Sequence, residues 1–303
     1  MPGIIEERRM NPKTLILKTA GINCDEELAH GFRMAKADAE IVHINELVRR
    51  EKSLLDYDIL GFPGGFAYGD DLSAGRVLAT EVRAHLLGQL LEFYERGGLI
   101  IGICNGFQTL VKAGILPDPT SIAGLKEGNG GVEATLFWND SGKFEDRWIT
   151  LKVENTNCVW TRWLPELIEY PVAHAEGKFI PASTEILERL EKNGQIVFRY
   201  CDPEAPDACE EDAVPYPLNP NGSVANIAGI CDPTGRVLGL MPHPERFLYP
   251  ENHPRWTRYR ASADGGPVSA AGEEEFGSWA HGLPLFLAAV EYVRTKGGIR
   301  ASR

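Results

Sequence analysis

Leu99-Ile100-Ile101-Gly102-Ile103-Cys104-Asn105-Gly106-Phe107-Gln108 begins as a run without a polar side chain and ends in a cysteine set between two glycines. A strand that reads as a continuous apolar run is buried on both faces, as in a parallel sheet covered by helices. Phe107 to Ala113 continues as a helix that stops at Gly114, a residue suited to helix ends. Cys104 therefore falls where a buried strand turns directly into a helix. Gly102 and Gly106 lie two residues to either side of it, which makes the segment the cysteine form of the Gly-x-Ser-x-Gly nucleophile elbow. A sharp turn lifts the central side chain above the sheet edge, and side chains at the flanking positions would collide there. The helix that follows aims its free amides at the sulfur, which favours the thiolate. The Asn105 amide then becomes an oxyanion donor. The plainer alternative is one more buried packing cysteine; the flanking glycines and the strand-to-helix context favour the nucleophile.

The pattern extends outward from this segment. Upstream, Thr14–Leu17, Ile41–Ile44 and Ile59–Phe62 read as short strands, with helices over Glu26–Ala37 and about Leu78–Arg96. Strand and helix alternate, so the expected fold is α/β with a mostly parallel sheet covered on two faces. Downstream, Ala134–Trp138, Trp148–Val153, Ile196–Tyr200 and Val237–Met241 read as further strands of a more antiparallel region, and Leu283–Arg294 as a closing amphipathic helix. Residues 201–222 and 250–280 are polar and rich in turn formers, and are expected to be insertions. There is no internal repeat or strong linker. A flexible leader over 1–12 and a single domain over 13–303 are the expected organisation.

The chain has 303 residues, 43% apolar and 24% charged, with 31 basic and 43 acidic residues for a net charge of -12. That balance opposes nucleic-acid binding, which needs a basic face. No apolar run approaches the ~20 residues that span a bilayer. The first residues lack a signal-peptide pattern, so a cytoplasmic protein is expected. The six cysteines contain no Cys-x-x-Cys pair, so neither a zinc site nor a disulfide framework is expected.

A cysteine nucleophile needs a proton carrier and a group to hold it. Met241-Pro242-His243-Pro244-Glu245 follows an apolar strand. Pro244 biases His243 toward extended backbone, where residues i and i+2 share a side, so Glu245 can fix the imidazole. His174-Ala175-Glu176 has the same spacing, and spacing alone leaves both pairs open; position at a strand end, where α/β sheets hold ligands, favours His243. Phe62-Pro63-Gly64-Gly65-Phe66 ends another strand and exposes amides at the same edge. It is not a phosphate loop, because no Gly-x-x-x-x-Gly-Lys-Ser/Thr occurs. Asp70 and Asp71 read as an exposed loop pair in preference to metal ligands.

Three segments together, Gly102–Gln108, Phe62–Asp71 and Met241–Arg246, resemble the class I glutamine amidotransferases. More narrowly they resemble the glutaminase subunits of phosphoribosylformylglycinamidine synthase, as do Val172–Phe179 and Asn219–Ser223. The similarity runs from about Thr14 to Phe247 and returns at Gly282–Phe286. It departs at Ala175, where the family usually has glycine, and after Asp71, where the family often carries an earlier arginine. The resemblance implies a flavodoxin-like three-layer sandwich and a triad of Cys104, His243 and Glu245. It leaves His174 and Glu176 a structural or interface role. It places glutamine near Gly64, Gly65, Asn105 and Gln108, and also near Asn139 and Ser141. It implies a cysteine thioester intermediate, with ammonia passed to a synthetase partner, with or without a small bridging subunit. ATP and magnesium belong to that partner, and this chain carries no cofactor or metal of its own. The competing expectations are another cysteine hydrolase of the same fold, peptidase or deglycase-like, and a non-catalytic binding subunit.

Overall fold

A computed structural model describes residues 11–121, 132–154, 157–211, 213–258 and 280–296. The elements in order are β1 (Lys13–Lys18), α1 (Asp25–Met34), β2 (Asp38–His43), α2 (Ile44–Val48), β3 (Ile59–Phe62), α3 (Arg76–Glu81), α4 (Leu87–Glu95), β4 (Leu99–Ile103) and α5 (Asn105–Lys112). They continue with β5 (Ala134–Phe137), β6 (Glu145–Val153), β7 (Leu167–His174), β8 (Lys178–Pro181), α6 (Thr184–Lys192), β9 (Ile196–Tyr200), α7 (Ala208–Glu211), β10 (Ile227–Cys231), β11 (Val237–Leu240) and α8 (Leu283–Lys296).

Nine strands form one sheet in the order β2-β1-β3-β4-β11-β10-β9-β6-β7, and β5 pairs with β8 apart from it. From β2 to β11 the pairing is parallel; from β11 to β7 it is antiparallel. The strands at the centre, such as β3, β4 and β11, are buried at every position. In β7, at the sheet's end, buried and half-buried residues alternate strictly. Successive residues of β3 meet opposite layers. A Cβ on Gly61 would touch Leu28 of α1, whereas Gly106 of α5 lies against Phe62. On the α1 side, Phe32 packs edge-on to Phe286 of α8 with ring centroids 5.0 Å apart.

Three sequence expectations need correction. The helix expected over 78–96 is interrupted by a π turn at Val82–Leu86, an inserted residue's worth of winding with no residue-type signature. The stretch 167–192, given no element in the sequence reading, contains β7, β8 and α6; Pro171 disguises β7, and an edge strand is where proline is tolerated. The 201–222 stretch carries the short helix Ala208–Glu211. Of the other expected segments, 1–10 and 259–279 lie outside the described residues. Among the described residues no helix is long and apolar enough to cross a membrane.

The topology explains how distant segments meet. β4 and β11 are parallel neighbours, with Ile103 opposite Leu240. Their C-terminal ends therefore emerge side by side, and the Cys104 N–H donates to the Leu240 carbonyl at 2.8 Å.

Candidate active site

Cys104 occupies the bend between β4 and α5 with φ 50 and ψ -105. Left-handed φ on a residue with a Cβ is strained and persists where packing dictates it. The packing here is unforgiving. A Cβ on Gly106 would lie 2.0 Å from the Phe62 carbonyl oxygen, and one on Gly102 would lie 2.8 Å from Gly106 backbone. The steric reason for both glycines is thus visible in the contacts.

Beside this bend, His243 accepts no role from solvent: it is 1% exposed, and Glu245 3%. Their side chains meet at 2.6 Å, Nδ1 to Oε1. A carboxylate oxygen only accepts, so Nδ1 carries the proton and Nε2 is the nitrogen turned away from Glu245. Among the described residues that Nε2 has no hydrogen-bond partner. The chain does not stay extended after His243, as the sequence reasoning assumed; it turns through the short 3-10 helix Pro244–Arg246, and the contact forms across the turn. Gly64 packs against both the imidazole and Cys104. The point a Gly64 Cβ would occupy is 2.7 Å from His243 Cε1, 3.2 Å from Cys24 Sγ and 3.4 Å from Cys104 Cβ. The Cys104 thiol itself donates to the Ala173 carbonyl oxygen at 3.7 Å. Thiol and imidazole are therefore neighbours that are not yet hydrogen-bonded, an arrangement common before substrate binds.

Electrostatics corrects a second expectation. The Asn105 amide does reach the sulfur and lowers its pKa, but burial outweighs it, with the nearby Cys24 and Glu245 adding to the rise. The resting group is a thiol. Alkylation of Cys104 by iodoacetamide in the absence of substrate is accordingly expected to accelerate with pH, still climbing at pH 9 without a plateau. A plateau near neutrality would show a preformed thiolate.

Cys104 opens on a cavity of about 460 Å³ whose wall includes Gly65, Asp70, Gln108, Trp138, His174 and Glu176. His243 and Glu245 are not part of that wall. Gln108 and Asn105 are buried and bonded to each other, Nδ2 of Asn105 donating to Oε1 of Gln108 at 3.1 Å. Glu176 accepts from the Ala74 N–H and the Ser73 hydroxyl, and pairs with Lys112 at 3.3 Å; it ties the loop after Asp70 to the turn after β7. Asp70 is not the exposed loop residue expected. It is half-buried on the cavity wall and accepts from Asn105 Nδ2 at 2.9 Å; burial raises its pKa. Asn139 stands one layer behind the wall, holding His174. Ser141 is elsewhere, on a separate cavity of about 790 Å³ shared with Cys209 and Tyr216.

The sequence reasoning missed Cys24 and Arg246. Arg246 donates to Cys24 Sγ at 3.0 Å, while burial pushes the Cys24 thiol up to about 12. Cys24 follows β1 at the same sheet edge, the signal that could have found it. Ligand atoms of Cys24, His243 and Glu245 lie within 4.8 Å of one another. A guanidinium on the sulfur and a committed His–Glu bond make that group a poor dication site.

Thiol, imidazole and carboxylate thus gather at one edge of an α/β sheet. The chain belongs to the CobB/CobQ-like glutamine amidotransferase family, whose profile matches residues 11–293. It is 46% identical over 283 residues to the phosphoribosylformylglycinamidine synthase subunit PurQ of Dehalococcoides mccartyi, covering 93% of this chain and 98% of the relative. It is 44% identical over 247 residues to the subunit of that name from Methanococcus maripaludis, covering 82% and 87%. A solved structure of PurLQS from Thermotoga maritima superposes with a TM-score of 0.65 at 27% identity, covering 94% of this chain and 100% of that one.

Proposed function

We propose that this chain is the glutaminase subunit of a phosphoribosylformylglycinamidine synthase. It hydrolyses glutamine to glutamate and ammonia, and passes the ammonia to a synthetase partner. That partner uses ATP to convert formylglycinamide ribonucleotide to formylglycinamidine ribonucleotide. The observation that carries the reading is the strained Cys104 elbow at a cavity, with the His243–Glu245 pair directly behind it.

In this mechanism the Cys104 thiol gives its proton to His243 Nε2 as the sulfur attacks the carboxamide carbon. N–H groups of Asn105 and Gly65 hold the oxyanion. The imidazolium, steadied by Glu245, protonates the leaving nitrogen. Ammonia departs and a glutamyl thioester remains on Cys104. His243 then takes a proton from water, which attacks the thioester and releases glutamate. A resting thiol suits a subunit whose chemistry waits for substrate and partner. The partner reading is supported by the names of the relatives and by the exposed apolar residues at the cavity mouth, Phe66, Leu72 and Trp138. Residues 13–303 act as one domain, in the cytoplasm.

The test is reconstitution with the synthetase subunit of the same organism. Glutamine-dependent amidination of formylglycinamide ribonucleotide with ATP and magnesium is the expected result. Glutamine hydrolysis that no synthetase stimulates, or hydrolysis of peptides instead, would overturn the assignment.

A further inference from the structure

His174 lines the cavity beside Cys104, is 3% exposed, and plays no part in the mechanism above. Its surroundings fix its tautomer. Asn139 Nδ2 donates to two carbonyls, those of Lys143 at 2.9 Å and His174 at 2.8 Å. Asn139 Oδ1 accepts from the Gly177 N–H at 2.9 Å. The amide therefore cannot be reversed, and the atom facing His174 Nδ1 at 3.1 Å is an acceptor. Nδ1 must carry the proton, which leaves Nε2 as a bare lone pair. Gly177 packs on the Nδ1–Cε1 edge, where a Cβ would lie 2.3 Å from Cε1, and turning the ring over would set Cδ2–H in place of Nδ1–H against Asn139 Oδ1. Burial and the neighbouring His243 hold the group neutral, its pKa pushed down to about 3. Nε2 has no partner. A buried acceptor without a donor costs stability and calls for an explanation.

Depth in the cavity identifies the donor. Cys104 and His174 are buried at its floor, while Asp70 is half-buried and Leu72 fully exposed nearer the mouth. A glutamine whose side-chain amide reaches the sulfur carries its α-ammonium toward the mouth, where a carboxylate is the better partner for a cation. The donor that arrives at the floor is the carboxamide N–H.

We infer that His174 Nε2 accepts a hydrogen bond from the carboxamide nitrogen of bound glutamine, making His174 the residue that distinguishes the amide substrate from the carboxylate product. This rests on the glutaminase reading. A carboxylate has no N–H to offer and meets a lone pair instead, so glutamate is disfavoured once formed.

The experiment compares two substrates in the complex with the synthetase subunit: glutamine and γ-glutamyl methyl ester, whose leaving oxygen carries no hydrogen. The variant His174→Asn keeps a donor for Asn139 and deletes the Nε2 position; His174→Leu is the second variant in case the first does not fold. The expected result is a fall of about tenfold or more in kcat/KM for glutamine, with the ester unchanged within about twofold or improved. Equal losses on both substrates would mark a purely structural role and overturn the inference, as would no loss on either. Wild-type complex that turns over the ester and glutamine, with Cys104 required for both, leaves the glutaminase reading standing whichever way His174 falls. Wild type that turns over neither substrate overturns both readings.

Discussion

Replacing Cys104 with alanine is expected to abolish glutamine-dependent amidination by the complex, by roughly 10⁴-fold or more, while ammonia-dependent amidination stays within about twofold of wild type. The asymmetry follows from the division of labour. Every covalent step of the proposed hydrolysis passes through one sulfur, whereas the ATP-dependent chemistry is placed on the other subunit. The substitution should leave the fold intact. Cys104 is buried with small volume to lose, and the backbone strain at φ 50 is imposed by the packing of Gly102 and Gly106 rather than by the thiol. Steady-state rates with each nitrogen donor, alongside thermal denaturation, check the result. A variant that still uses glutamine would move the nucleophile elsewhere, with Cys24 the nearest thiol.

A single methyl group at position 64 is expected to be nearly as damaging. Gly64→Ala places its Cβ 2.7 Å from His243 Cε1 and 3.4 Å from Cys104 Cβ. Gly64, unlike Gly65 with its φ of +133, is not in the left-handed region, so alanine meets no backbone strain there. The clash falls on a side chain, and the imidazole must yield. It is held by Glu245 on the far nitrogen, so it moves as a unit away from the thiol. Misplacement on the order of 1 Å costs about 10²-fold in rate. The expected outcome is therefore a fall of about 10²-fold or more in kcat for glutamine. The stability loss should be only about 1–3 kcal/mol, the usual range for overpacking. Single-turnover kinetics with thermal denaturation separate the two. Near-normal turnover would show that His243 does not work in the position seen here.

Much of this was legible in the residues because the central strands are apolar without interruption. β3, β4 and β11 are buried at every position and β1 over its middle four residues, and such runs leave a continuous signal. Cys104 was legible through its glycines, where an added Cβ would lie 2.0 to 2.8 Å from neighbouring atoms. The obscure parts have physical causes. β7 alternates and carries Pro171, so its pattern resembles a broken loop until its place at the sheet edge is known. The π turn depends on local winding that no residue type announces. The two His-x-Glu pairs could not be ranked by spacing, because β7 and β11 both bring theirs toward the cysteine. What separates them is environment. His243 is held by a carboxylate, whereas His174 is held by an amide whose orientation is set by three further bonds. The protonation of Cys104 was misjudged for a related reason. Helix amides were visible in the sequence, but the depth of burial that overrides them was not.

The most direct test of the central claim is to treat the complex with the glutamine analogue diazo-oxo-norleucine and map the modified peptide by mass spectrometry. One label per chain on Cys104, blocked by prior glutamine and absent from Cys104→Ala, is the result this account predicts. Label on Cys24 or His174 in place of Cys104, or an unmodified Cys104 in a complex that uses glutamine, would contradict it.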